Sequence, residues 1–219
     1  MFKTISNQYF VMQSSNQQWH FFYYDNTGIC YKKKSAHRWS DYEILFKEGL
    51  GDFDVLVDAE DNIHLVCQDK LGSIIYLLYN DQQWHKYTIL QSKSNHVYPK
   101  YFKIFSINNW INLLYIIRHK EKNLLVHQIL DNNAAPPNVL DYVVSSAYPF
   151  SASMDDENNI HVYYQRNDKQ ANLGYQNYIW SKKSWGDFTA LDIENADILA
   201  PYSIIDEEGN THLIYLNKT

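Results

Sequence analysis

Arginine is scarce in this chain: Arg38, Arg118 and Arg166 are the only three, and the formal net charge is −6. A nucleic-acid groove sets clustered Lys and Arg against phosphates, so this balance argues against nucleic acid as a partner. The one basic run, Lys32-Lys33-Lys34 with His37 and Arg38, reads as a solvated loop tip. Two cysteines, Cys30 and Cys67, stand in different strand-like segments without CxxC spacing. They read as buried free thiols rather than as a disulfide or metal pair, and neither a cofactor nor a metal is expected. No stretch approaches 18 continuous apolar residues, so no membrane partner is expected. The start, Met1 to Gln8, lacks the apolar core of an export signal, which leaves localisation unknown: cytoplasmic as the chain stands, extracellular if a signal has been removed. With seven Gly and five Pro there is no linker or low-complexity segment, the nearest being Asp131 to Asn138.

What is abundant is aromatic. Aromatics make up 16% of the chain, and 19 residues are Tyr. One motif recurs five times: Trp19-His20-Phe21-Phe22-Tyr23, Ile63-His64-Leu65-Val66-Cys67, Ile111-Asn112-Leu113-Leu114-Tyr115, Ile160-His161-Val162-Tyr163-Tyr164 and Thr211-His212-Leu213-Ile214-Tyr215. The His/Asn positions lie 44, 48, 49 and 51 residues apart, a period that belongs to propeller blades or solenoid units. Around the motif each unit repeats one order. An apolar run such as Phe53 to Val57 leads into a polar turn, acidic at Asp58 to Asn62, Asp155 to Asn159 and Asp206 to Asn210. The His strand follows, then a Tyr-rich strand, then a strand opened by Trp39, Trp84 or Trp185. No segment keeps a 3.6-residue apolar period, so no helix of consequence is expected.

Four short antiparallel strands per unit predict an all-β, five-bladed β-propeller forming a single domain over 1–219. The fifth unit ends after two strands, and Phe2-Lys3-Thr4-Ile5 resembles Lys86-Tyr87-Thr88-Ile89, so the N-terminal strand is expected to complete the last blade. The third-strand slot of that blade then stands empty, which leaves room for a homo-oligomer through the incomplete blade.

The segments Asp206 to Tyr215 and Asp155 to Tyr164, the latter followed by a Tyr-rich and a Trp strand, resemble the sialidase-like propellers with Asp-box (BNR-type) repeats. The strict Ser-x-Asp-x-Gly-x-Thr-Trp string is missing. In blade number the chain is similar to the small five-bladed lectin propellers. The resemblance implies a carbohydrate theme without fixing a reaction, because such families include sialidases, other glycosidases and glycan-binding lectins.

A sialidase of that kind needs an arginine cluster, and three arginines placed on separate outer loops do not supply one. A two-carboxylate glycosidase needs acids about 5–10 Å apart, for which Glu48, Asp52, Asp54, Glu194 and Asp197 are the only candidates near the entry to first strands. The His column, spread one per unit, reads as hydrogen-bonded core histidines. The Trp column reads first as packing, with sugar-stacking platforms as the other reading. The acidic turns read as solvated turns, or else as a ring for a cation or a basic partner. The chain is therefore expected to be a non-catalytic binding module for a glycan or protein ligand; the alternatives are a glycosidase-related enzyme and a purely structural interaction ring. The expected ligand face carries Tyr98, Tyr148 and Tyr202 beside Arg118 and Arg166, aromatic surfaces and donors suited to sugar rings and hydroxyls, near the third unit, which departs most from the repeat.

Overall fold

In the computed structural model, residues 8–35, 38–93, 97–130, 135–168, 172–193 and 197–218 are described. They form five antiparallel sheets. The first orders β1 (Tyr9–Gln13), β2 (Trp19–Asp25) and β3 (Gly28–Ser35), with β4 (Arg38–Trp39) and β5 (Glu43–Phe46) both on β3. The second is β6 (Gly49–Val57), β7 (Ile63–Asp69), β8 (Ile74–Asn80) and β9 (Gln83–Leu90). The third is β10 (Lys103–Ile107), β11 (Trp110–His119), β12 (Lys122–Leu130) and β13 (Asn138–Val143). The fourth is β14 (Phe150–Met154), β15 (Ile160–Gln165) and β16 (Leu173–Ile179), with β17 (Ser184–Trp185) and β18 (Thr189–Ala190) on β16. The last pairs β19 (Asp197–Ile205) with β20 (Thr211–Lys218). Every copy of the recurring motif lies on the second strand of its sheet.

Two fourth strands depart from the expected continuous runs. Trp39 to Leu45 is split into β4 and β5, and Trp185 to Leu191 into β17 and β18. In the first case the ladder slips between Ile29 and Cys30, and Gly28 at φ +127° brings Phe46 O to where a Cβ would be 2.4 Å away. The third unit, which lacks an opening Trp, still forms its fourth strand over Asn138–Val143. Among the described residues the single helical element is the 3-10 turn Trp180–Lys182. The N-terminal segment Phe2 to Ile5 lies outside the described residues, as do His37, Glu194 and Asp131 to Ala134.

The chain divides into two compact units, Met1–Leu113 with Ile129–Ala135, and Leu114–Gln128 with Pro136–Thr219. In the first, Phe22, Ile29, Phe53, Ile63, Leu65 and Cys67 are fully buried in one cluster that joins the first and second sheets. The ring of Phe10 meets that of Phe53 edge-on at 5.2 Å. In the second unit Tyr115 and Tyr164 are buried with their hydroxyls bonded, Tyr115 to Gln128 Oε1 at 3.0 Å and Tyr164 to Gln176 Oε1 at 2.7 Å. That is how a Tyr-rich sequence fills an interior without leaving phenols unsatisfied.

The recurring His is held by its own turn. Asp58 Oδ1 accepts the backbone N–H groups of Glu60 and Asn62 at 2.9 and 2.8 Å, while Oδ2 accepts Asn62 Nδ2 at 3.0 Å and His64 Nε2 at 2.9 Å. Asp155 binds Glu157, Asn159 and His161, and Asp206 binds Glu208, Asn210 and His212, in the same pattern. The acidic turns are therefore not simply solvated: the side chain of Asp58 is only 5% exposed. Burial works to raise the Asp58 carboxyl, but the bonds from His64 and Asn62 overcome it and hold it below the usual range. In the first sheet Ser14 takes the Asp place, at 3.3 Å from His20 Nε2, and Asp61 of the next turn binds Ser15 N and Oγ at 2.7 and 2.6 Å. In the third sheet the turn shrinks to Asn108-Asn109, at φ 47° and 66°, with no acid.

A second device ties the second sheet to the segment entering the third. Asp52 accepts the backbone N–H groups of Lys100 and Tyr101 and the amide of Gln68, and Asp54 accepts Ile104 N at 2.9 Å. Tyr101 sits at φ +54°, a strained conformation for a bulky residue, and the Asp52 bond to its N–H helps to hold it there. Burial raises the Asp54 carboxyl to about 6, with Lys103 Nζ at 3.9 Å opposing it only in part.

Two outcomes follow. His64→Ala strands the Asp58 carboxylate and the Tyr76 hydroxyl, and is expected to lower stability by about 1–3 kcal/mol in urea unfolding, whereas Lys33→Ala is expected to change it little. Asp54 has a folded pKa raised above its unfolded value near 3.9, so the cost of its buried charge is absent at low pH and develops as pH rises through about 6. The stability of the native chain relative to Asp54→Asn should fall between about pH 4 and pH 6, by on the order of 2–3 kcal/mol. A difference that stays flat across this window would show that the carboxyl is not held protonated.

Candidate functional site

The turn device also shapes two cavities in the first unit. The larger, of about 660 Å3, lies where the Asp58 to Asn62 turn and strands β8 and β9 face the short Asn108-Asn109 turn of the third sheet. Its floor is the chain Asp58, His64, Tyr76. Because an ionised carboxylate only accepts, His64 donates from Nε2, which leaves Nδ1 to accept the Tyr76 hydroxyl at 2.7 Å. Burial lowers His64, so the imidazole is neutral at pH 7, and burial also pushes the Tyr76 phenol above its ordinary value. Tyr87, 47% exposed, stacks on Tyr76 at a centroid distance of 5.8 Å, and Trp110 supplies a second aromatic wall. Around these stand amides and acids: Asn109 Nδ2 donates to Glu60 Oε1 at 2.8 Å, and the buried Asn80 Oδ1 has no hydrogen-bond partner among the described residues.

The second cavity, of about 510 Å3, occupies the equivalent place one sheet earlier, between β3 and the β8–β9 end of the second sheet. Tyr31 stands where Tyr76 stands in the first, with its hydroxyl 2.8 Å from His20 Nδ1. Lys33, Asp41 and Glu43 provide charges and Tyr79 and Trp84 the aromatic wall, and the buried Trp84 Nε1 lacks a partner among the described residues. Trp84 meets Tyr31 edge-on at 5.9 Å. Both cavities thus combine aromatic faces with locked polar groups, a combination that suits a neutral ligand rich in hydroxyls.

The residues expected from the sequence are placed as follows. Tyr98, in the first unit, is half-buried with Lys100 Nζ 4.0 Å above its ring. The other four belong to the second unit. Tyr148 is exposed in the loop before β14, Tyr202 is exposed on β19 opposite Ile214, and Arg118 is exposed near the end of β11. Arg166 is engaged: its Nε lies 2.6 Å from Asp141 Oδ2, its guanidinium packs 4.7 Å over the Phe188 ring, and its backbone bridges to Val143. Of the Trp column, Trp39 is exposed, Trp84 lines a cavity, and Trp185 Nε1 donates to His127 Nδ1 at 3.1 Å. Burial pushes His127 down to about 4, in keeping with a neutral ring that accepts from Trp185.

Sequence reasoning did not single out Tyr76, Tyr87, Asn80 or Trp110. One signal for them was present, the missing acidic turn of the third unit, since it is the short Asn108-Asn109 turn that faces the larger cavity. Their meeting depends on how strands of successive sheets pack, which no local pattern states.

No protein-family model and no curated protein sequence matches the chain. Solved structures do. The Aleuria aurantia fungal lectin, a six-bladed β-propeller with a novel mode of fucose recognition, is matched at 13% identity and a TM-score of 0.59 over 98% of this chain and 72% of the lectin. The α-L-arabinanase of Penicillium chrysogenum, solved with arabinobiose, is matched at 12% identity and a TM-score of 0.60 over 95% and 74%. A Hadza microbial sialidase is matched at 8% identity and a TM-score of 0.56 over 97% of this chain and 53% of that one. At such identities the likeness shows the fold alone, an all-β, propeller-like arrangement of antiparallel sheets.

Proposed function

We propose that this chain is a non-catalytic, lectin-like module that binds glycans in the cavity between the second and third sheets. The reading also takes the five sheets as blades of one propeller, with the N-terminal segment completing the last. The observation that carries it is the wall chemistry of the 660 Å3 cavity: Tyr87 and Trp110 beside Asn80, Asn109 and Glu60. Aromatic faces stack on the apolar side of a pyranose while amides and carboxylates take its hydroxyls.

The protonation states support binding over catalysis. A Tyr nucleophile needs a lowered phenol pKa or a base ready to take its proton; Tyr76 is raised instead and donates to a histidine already fixed by Asp58. Asp58 accepts four hydrogen bonds and lies below the usual carboxyl range, which does not suit a general acid at neutral pH. The solved neighbours include a fucose-recognising lectin and carbohydrate-active enzymes, in keeping with a sugar ligand. Tyr98, Tyr148, Tyr202, Arg118 and Arg166 are the other proposed binding residues for the same function.

The test is a glycan-array screen followed by calorimetric titration of the best ligand. Tyr87→Ala and Trp110→Ala should each weaken binding about tenfold or more, equivalent to about 1.4 kcal/mol. Tyr98→Ala and Tyr148→Ala should each leave it unchanged; the reverse result would move the site to whichever of these residues is sensitive. Release of reducing sugar from any bound glycan would overturn the non-catalytic reading.

A further inference from the structure

The two cavities of the first unit share an aromatic frame but differ in charge. The smaller is lined by Lys33, Asp41 and Glu43, charges of both signs. The larger is lined by the acids Asp58 and Glu60, and by no Lys or Arg among the described residues. A sugar bearing a carboxylate or sulfate would meet like charge there, with no cation to receive it.

Hydrogen-bond polarity sharpens the contrast. On the floor of the larger cavity the Asp58 carboxylate can only accept, so His64 donates from Nε2 and receives the Tyr76 hydroxyl at Nδ1. The Tyr76 oxygen is left with lone pairs and no hydrogen to offer. In the smaller cavity His20 Nε2 meets the hydroxyl of Ser14, which can donate or accept, so the direction of the bond to Tyr31 is not fixed in this way.

The amides of the larger cavity follow the same bias. Asn62 Nδ2 spends both hydrogens on carboxylates, Asp58 Oδ2 at 3.0 Å and Glu60 Oε2 at 3.4 Å, and Asn109 Nδ2 donates to Glu60 Oε1 at 2.8 Å. These donors are turned onto the cavity's own acids, and what they leave for a ligand is acceptor oxygen. Glu60 is exposed and is held between two amides from different turns, while each of its oxygens keeps a further lone pair.

The group that complements such a wall brings positive charge and several N–H donors. A primary ammonium has both, and beside the exposed ring of Tyr87 it also gains cation–π attraction. An acetamido group in its place brings a carbonyl acceptor and no charge. Resting on the glycan reading above, we propose that the larger cavity selects an amino sugar, with the ammonium of a hexosamine on Glu60 and the sugar ring against Tyr87.

Three disaccharides that differ only in the group on the second ring carbon test this by calorimetric titration: cellobiose with a hydroxyl, the glucosamine dimer with an amine, and diacetylchitobiose with an acetamide. At about pH 7, where most of the amine is protonated, the glucosamine dimer should bind about five- to tenfold more tightly than either of the others. Raising the salt from about 0.01 M to about 1 M should narrow that ratio, because an ion pair at an exposed carboxylate is screened. Glu60→Gln should bring the ratio close to one, and Glu60→Asp, which keeps the charge but shortens its reach, should retain part of it. Equal binding of the three sugars by the native chain overturns the amine preference and leaves the glycan reading standing, as does a preference that survives Glu60→Gln. Binding of the glucosamine dimer that Tyr87→Ala leaves intact places the sugar outside the cavity and overturns both. Absence of binding by all three rejects the amino-sugar ligand, and the glycan reading is rejected with it if the array screen is also blank.

Discussion

The bond from His Nε2 to the first Asp of its own turn is the constraint on which the rest of the sheet architecture depends. Each sheet must reverse direction between its first and second strands, and in the second, fourth and last sheets an Asp settles that reversal by collecting two backbone N–H groups, an Asn amide and the imidazole. The turn closes on the strand that follows it, and the histidine, so oriented, presents its other nitrogen to the third strand, as His64 does to Tyr76. One carboxylate thus fixes three strands. Repetition of the arrangement at Asp155 and Asp206 makes it a property of the repeat rather than of one site.

Departures from the device are as informative as its copies. Ser14 binds His20 more loosely, and the adjacent turn lends Asp61 to Ser15 in compensation. The third sheet abandons the Asp altogether, with a two-residue turn of left-handed asparagines and the fully buried Asn112 in the histidine's place. A shorter turn occupies less space, and it is there that the larger cavity lies. A change made for backbone reversal becomes an opening with chemistry around it: the aromatic wall of Tyr87 and Trp110 faces amides that the acidic turns elsewhere consume internally.

The sequence was most legible where the physics is local. A period near 48 residues, strand-length apolar runs and turn composition identified the recurring second strands; of the histidines, His20 and His64 are buried and hydrogen-bonded as expected, whereas His161 is half-buried and His212, bonded to its turn in the same way, is exposed. It was less legible where sheets meet. The acidic turns looked solvated because Asp, Glu and Asn usually are, yet Asp58 is drawn inside by four donors. Arg166, expected on the ligand face, is engaged by Asp141 and Phe188, which lie more than twenty positions away. The split of the fourth strand around Trp39 coincides with a register slip and a close backbone approach at Gly28, neither of which the local pattern states.

Composition and periodicity by themselves determined that this is an all-β chain of repeated antiparallel units with a polar, non-basic surface, because hydrophobic alternation and turn chemistry act within a few residues of one another. Tertiary structure alone decided which aromatics share a cavity, which acids are consumed by backbone donors and which faces remain bare. Those outcomes depend on the packing of one sheet against the next, a contact between residues some fifty positions apart that no local pattern encodes.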